Sequence, residues 1–160
     1  MHAFDASSLI YAWDNYPIGQ FPPLWDWLAD RIKAGNFVVS EVAFQEVRNK
    51  APECAEWLDE QQIHRLPRTN EILQEAMRIK GLLGIVDDNY HSKGVGENDL
   101  LIIATSKVHN IPLVTDEGFQ SRLPDVLSKC KIPTVCNFPQ VNVDWVKFID
   151  LIKASNEVFH

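Results

Sequence analysis

Residues 98–118 read NDLLIIATSKVHNIPLVTDEG and give the clearest indication of the fold class. Its first half carries apolar side chains at helical spacing, such as Leu101 followed by the inward-facing Thr105, and predicts a helix over residues 98–109. Its second half, residues 111–115, is a short apolar run that predicts a buried strand. A helix that leads directly into a buried strand is the repeating unit of α/β proteins.

Short apolar runs alternate with amphipathic segments along the rest of the chain. Further strands are predicted at residues 3–5, 37–39, 63–66 and 133–136. Further helices are predicted at about residues 7–14, 22–34, 40–51, 53–61, 70–83, 124–128 and 143–154. The alternation predicts an α/β fold, a three-layer α/β/α sandwich around a central, mainly parallel sheet of four to five short strands.

Composition excludes several classes of protein. The 22 acidic residues outnumber the 15 basic ones, and a net charge of −7 does not suit a protein that coats nucleic acid without regard to sequence. The longest apolar run, residues 100–104, is far below the roughly 18–20 residues that cross a bilayer, so no membrane partner is expected. Three cysteines without a CxxC pair or a secretory signal favour a reducing, cytoplasmic location.

Acidic residues stand out at the predicted ends of strands and starts of helices. Asp5 ends the first strand, Asp116 and Glu117 follow residues 111–115, Asp99 opens the preceding helix, and Glu46 lies on the helix after residues 37–39. In parallel sheets, functional groups gather beyond the carboxyl ends of the strands. Crowded carboxylates repel unless a cation neutralises them, and an all-oxygen donor set selects Mg²⁺ or Mn²⁺.

Each acid also has an ordinary interpretation when it is considered alone. Asp99 suits the positive end of its helix, Asp116 and Glu117 suit a loop, and Glu46 suits a solvated helix face. A haloacid-dehalogenase-like phosphatase would need a second aspartate where Ser7 stands. The joint arrangement of the acids therefore carries the prediction of a phosphoryl-transfer site.

Three motifs give the sequence a resemblance to the PIN domain family, and within it to VapC-like toxins. Residues 4–10, FDASSLI, resemble the family's first strand and helix start. Residues 39–47, VSEVAFQEV, resemble its strand, cap and glutamate-bearing helix, and residues 98–119 resemble the helix and strand that carry its last acids. The resemblance spans roughly residues 3–136 and implies one PIN-like domain over residues 1–160, with a helical insertion at about 52–95.

The resemblance implies an endoribonuclease that depends on Mg²⁺ or Mn²⁺. The family's four acidic metal-site positions would correspond to Asp5, Glu46, Asp99 and Asp116. Ser7 and Thr115 would make supporting polar contacts near the metal. The family's spacing after the last strand, T-x-D-x-x-F, is one residue shorter here between Thr115 and Phe119, so either Asp116 or Glu117 takes the last ligand position.

The resemblance also implies partners: an RNA substrate, a cognate antitoxin and a second copy of the chain in a homodimer. RNA contacts are expected from basic residues near the acidic motifs, namely Lys93, Lys107, Arg122, Lys129 and Lys131. An interface is expected from Trp13, Trp25, Trp27, Phe21 and the loop 16–23, with ordinary core packing as the alternative. Two other functions stay open: a PIN-fold binding module without activity, and a nuclease or phosphatase that acts on another phosphoester.

Overall fold

A five-stranded parallel sheet organises the computed structural model, which describes residues 1–160. Its strands are β1 (His2–Phe4), β2 (Phe37–Ser40), β3 (His64–Leu66), β4 (Leu113–Val114) and β5 (Trp145–Val146). They lie in the order β3-β2-β1-β4-β5, and every neighbouring pair is parallel. All carboxyl ends therefore meet at one edge of the sheet, called the carboxyl edge below, and the predicted α/β class is confirmed.

Eight helices flank the sheet. They are α1 (Ala6–Asn15), α2 (Pro22–Lys33), α3 (Glu41–Lys50), α4 (Pro52–Glu60), α5 (Asn70–Leu82), α6 (Glu97–His109), α7 (Ile132–Cys136) and α8 (Phe148–Ser155). Two of them begin directly at the carboxyl edge with a side-chain cap. Asp5 accepts a hydrogen bond from the Ser8 N–H at the start of α1, and Ser40 accepts one from the Ala43 N–H at the start of α3.

A continuous apolar core of 43 buried residues holds the layers together. The central strands β1, β2 and β4 contribute side chains that are almost wholly buried, and Phe44 and Phe148 are the largest fully buried ones. All three cysteines are buried and free. No helix has the length and apolarity that a membrane crossing requires.

Three expectations for residues 124–154 differ from the structure. The predicted strand at 133–136 is helix α7, because a short apolar run has no periodicity that separates strand from buried helix, and Pro133 fits a first helical turn. The predicted helix at 143–154 begins only at Phe148, and its first part forms the edge strand β5. The helix predicted at 124–128 is a single 3₁₀ turn at Leu127–Lys129.

The region predicted as a helical insertion, residues 52–95, contains helices α4 and α5. It also supplies β3, which pairs with β2 and extends the sheet by one strand. The carboxyl edge therefore extends past β2 to the end of β3 and the residues that follow Leu66.

Candidate metal centre

A cleft of about 540 Å³ lies at the carboxyl edge. Its walls come from α1, α3, α6 and the segment after β4, and they consist of Asp5, Ala6, Ser7, Ile10, Tyr11, Asp14, Asn15, Glu46, Lys50, Asp99, Ile102, Asp116 and Glu117. Six of these residues are acidic and one, Lys50, is basic. All five acids predicted from the sequence therefore reach one cleft, which carries a strong local excess of negative charge.

Asp5 is the most deeply buried carboxylate of the cleft, with 1% of its surface exposed. It accepts hydrogen bonds of 2.8 Å from the Ser8 N–H and from the Ser7 hydroxyl. Burial raises its pKa from 3.8 to about 6, and the hydrogen bonds from Thr115, Ser8 and Ser7 oppose the rise only in part. No basic side chain pairs with it, so the ionised form is costly.

Ser7 and Thr115 link the two central strands around Asp5. The Ser7 Oγ contacts the Asp5 carboxylate and accepts a hydrogen bond of 3.1 Å from the Asp116 N–H. The Thr115 Oγ1 accepts one of 3.3 Å from the Glu117 N–H. These hydroxyls fix the backbone turn after β4 relative to the end of β1, and their expected supporting role near a metal stays a prediction.

Asp99 and Glu46 approach the cleft from two different helices. The Asp99 Oδ2 accepts a hydrogen bond of 2.9 Å from the Gly96 N–H at the start of α6. Burial raises the pKa of Asp99 to about 6, with further increases from the charges of Glu117 and Glu46 and a small opposing effect of Lys50. Glu46 is half-buried on α3, four residues before Lys50, so both side chains lie on the same face of that helix.

Asp116 and Glu117 are adjacent in sequence but sit in different surroundings. Burial raises the pKa of Glu117, and the charges of Asp5 and Glu46 raise it further. Two groups oppose the rise: the Ile132 N–H, which donates a hydrogen bond to the Glu117 Oε2 at 3.1 Å, and the charge of Lys131. Glu117 therefore shares the electrostatic environment of the other predicted ligands.

The Asp116 carboxylate instead faces the beginning of α8. Burial raises its pKa, the Phe148 N–H and Lys147 lower it, and Asp150 raises it. None of the other cleft acids contributes to this shift. Its Oδ2 is buried without a hydrogen-bond partner, so it is the one cleft carboxylate with an unsatisfied buried oxygen.

The donor set fits a hard divalent cation, because it consists of carboxylate oxygens and the charges of neighbouring acids raise the pKa of Asp99 and Glu117. The side chains do not form a ready-made cage, since nowhere in the chain do three or more His, Cys, Asp or Glu side chains gather closely enough to hold an ion. These side chains would therefore have to move closer together to hold an ion by themselves, whereas Mg²⁺ usually keeps several waters and is bound through one or two carboxylates and substrate phosphates.

Comparison with known proteins places the chain in a family. The model of the family described as "Domain of unknown function (DUF4411)" matches residues 2–159, which is nearly the whole chain. The chain belongs to the DUF4411 family. No curated protein matches it.

Two solved structures resemble this DUF4411 domain over most of its length. One is VapBC2 from Rickettsia felis bound to a DNA fragment from their promoter, with 16% identity, a TM-score of 0.58, and coverage of 92% of this chain and 98% of that one. The other is FitAB bound to an IR36 DNA fragment, with 15% identity, a TM-score of 0.52, and coverage of 92% and 94%. The DUF4411 domain therefore has a PIN/VapC-like fold, as the motifs predicted.

Four polar cleft residues of this DUF4411 domain were not predicted from the sequence. Tyr11, Asp14 and Asn15 lie one and two helical turns after Ser7 on α1, and Lys50 lies one turn after Glu46 on α3. Helical spacing from an already suspected residue is the signal that finds them. Asp14 adds a sixth carboxylate, and Lys50 supplies the only positive charge on the cleft wall.

The expected interface aromatics belong mostly to the core. Trp25 and Trp27 are 3% and 7% exposed, and the ring of Trp13 packs edge-on against Trp25. Phe21 alone is largely exposed. Of the basic residues considered for RNA contact, Lys131 lies close enough to lower the pKa of Glu117, and none of the five lines the cleft.

Proposed function

We propose that this DUF4411 domain is a PIN-type endoribonuclease that depends on Mg²⁺ or Mn²⁺. The observation that carries the proposal is the convergence of six acidic residues from four separate segments on one cleft at the carboxyl edge of a PIN/VapC-like fold. A fold gains nothing from such crowding, because each buried carboxylate raises the free energy of the native state. A site that binds a cation and a phosphodiester explains the arrangement.

The proposal gives the ligand positions to Asp5, Glu46, Asp99 and Glu117, which share one electrostatic environment. Asp116 is the alternative for the fourth position because it also lines the cleft and its buried Oδ2 has no hydrogen-bond partner. When bound, the divalent ion would supply positive charge to the scissile phosphate and lower the pKa of a water. Ser7 and Thr115 hold Asp5 and the turn after β4 in position, and Lys50 offers the cleft a charge that attracts phosphate.

The proposal also includes a role as the toxin of a toxin–antitoxin pair, with a cognate antitoxin as protein partner. Its support is the similarity in fold to the toxin components of VapBC2 and FitAB, both toxin–antitoxin complexes. RNA as substrate, a homodimer and a cytoplasmic location stay predictions.

Cleavage of a long, unstructured RNA by the purified chain tests the activity. The expected result is cleavage with Mn²⁺ or Mg²⁺ and none with EDTA. Asp5→Asn should lower the rate by more than about 100-fold, because loss of a group that only orients a metal ligand already costs about 10–100-fold. The exposed Asp26→Asn is the matched control and should leave the rate unchanged. Cleavage by Asp5→Asn at the parent's rate would refute the assignment.

A binding module without catalysis is the second candidate, and the absence of a ready-made three-ligand cluster favours it. Thermal denaturation separates the two. An intact ion site stabilises the parent by about 2.7 kcal/mol when the Mn²⁺ concentration is 100-fold above its dissociation constant. A domain that has lost the site shows the same melting temperature with and without Mn²⁺.

A further inference from the structure

A second groove of about 300 Å³ adjoins the acidic cleft at the same edge of the sheet. It is lined by Glu41, Val42, Gln45, Glu46, Asn49, Arg68 and Asn98. Glu46 lines both cavities, so the groove and the cleft meet at this residue. The volume lies at the lower end of the range of small-ligand pockets, about 300–1,000 Å³.

Helix α3 supplies different chemistry to the two cavities. Glu46 and Lys50 point to the acidic cleft, while Gln45 and Asn49, each one residue earlier, line the groove. One residue corresponds to a rotation of about 100° around a helix, so the helix presents Lys50 to the cleft and the two carboxamides to the groove, which Glu41 and Glu46 also line. Asn98 on α6 adds a third carboxamide to the groove.

Gln45 and Asn49 are ordered by a direct hydrogen bond. The Gln45 Nε2 donates to the Asn49 Oδ1 at 3.1 Å, which leaves the Gln45 Oε1 as an acceptor and the Asn49 Nδ2 as a donor. A neighbouring acceptor and donor complement an exocyclic amino group beside a ring nitrogen, as on adenine. In single-stranded RNA these base edges are accessible to side chains.

Arg68 gives the groove an uncommitted positive charge. It follows β3 at the carboxyl edge and forms no ion pair or hydrogen bond within the chain. The neighbouring Arg48 and Arg65 are both paired with Asp59. An exposed guanidinium without an internal partner suits a backbone phosphate.

We infer that this groove is the nucleobase-recognition subsite of the cleft: it holds a nucleotide that flanks the scissile phosphate, with Gln45 and Asn49 on the base edge and Arg68 on a backbone phosphate. The inference rests on the proposed RNA substrate. The carboxamides of the groove prefer a base with an exocyclic amino group, above all adenine, over uracil. A strand of RNA then runs along the carboxyl edge from the end of β3 towards the acidic cleft.

Binding of dye-labelled hexamers of adenylate, cytidylate and uridylate to the full chain in EDTA, where no cleavage is expected, tests the subsite, with fluorescence anisotropy as the readout. An amide contact to a base edge discriminates by about 5- to 150-fold, so the parent should bind the adenylate hexamer at least 5-fold more tightly than the uridylate hexamer. Gln45→Ala/Asn49→Ala should remove this preference. Arg68→Ala should weaken the binding of all three hexamers by a similar factor. The slope of log affinity against log salt concentration should also fall by the contribution of about one phosphate contact.

Arg31→Ala is the matched control, because Arg31 is an exposed arginine at the opposite edge of the sheet. It should leave both the preference and the affinities unchanged. The inference is overturned if the parent binds the three hexamers alike, or if Gln45→Ala/Asn49→Ala keeps the parent's preference. Loss of base-selective binding in that variant supports the subsite even where the parent cleaves no RNA, and only the nuclease proposal then fails.

Discussion

Neutralising Asp5 should stabilise the protein in the absence of metal. Its carboxylate is 1% exposed and has no basic partner, and burial raises its pKa from 3.8 to about 6. Each tenfold change in a protonation equilibrium corresponds to about 1.4 kcal/mol, so the ionised form costs the native state about 3 kcal/mol at pH 7. The substitution Asp5→Asn removes the charge and keeps a side-chain oxygen that can still cap α1.

Some of that gain is lost, because Ser7 and Thr115 then face a neutral amide instead of a carboxylate. We therefore expect Asp5→Asn to raise the free energy of unfolding by about 1–3 kcal/mol at pH 7, or the melting temperature by roughly 3–9 °C for a chain of this size. Thermal and urea denaturation in EDTA measure this change. The exposed Asp26→Asn is the control and should stay within about 0.5 kcal/mol of the parent.

The pH dependence checks the cause of the stabilisation. Because the native pKa of Asp5 is raised, the native state binds more protons than the unfolded state between pH 4 and 6, so the parent loses stability as the pH rises through this interval. The variant lacks this titration. Its advantage should therefore vanish below about pH 4, grow between pH 4 and 6 and stay constant above. A variant that is less stable than the parent at pH 7 in EDTA would refute the reasoning, because the structure would then stabilise the Asp5 anion.

Two further predictions concern the turn after β4 and a close approach of two loops. Glu117→Gln should abolish the stabilisation by Mn²⁺ in a thermal shift assay, whereas Asp116→Asn should retain it. The reason is that only Glu117 shares its surroundings with Asp5 and Glu46. The opposite result would give the ligand position to Asp116. Gly94→Ala should lower the free energy of unfolding by more than about 2 kcal/mol in urea denaturation, because its Cβ would overlap the backbone carbonyl of Ser128. Gly81→Ala has open space on α5 and should instead raise stability by about 0.5–1 kcal/mol; equal effects of the two substitutions would contradict the close approach.

Local patterns in the sequence were sufficient for most of the architecture. The strands β1, β2 and β4 and the helices α1, α3 and α6 lie within a few residues of their predicted bounds, because apolar periodicity and caps such as Ser40 act within one element. The parallel sheet followed from the alternation of these elements. Helix α7 and the edge strand β5 could not be predicted in this way, because both depend on neighbours far along the chain, whereas most of α8 falls within the helix predicted at 143–154.

The sequence by itself determined the α/β class, the PIN-like motifs and the set of acids at the ends of strands, because the carboxyl ends of parallel strands must share one edge. The composition of the cleft and the separate surroundings of two adjacent acids depend on how distant segments pack together. Glu117 lies among Asp5, Glu46 and Asp99, while Asp116 faces the Phe148 N–H at the start of α8. The direction of a loop side chain is set by the helix that packs against it, and no local pattern records that contact.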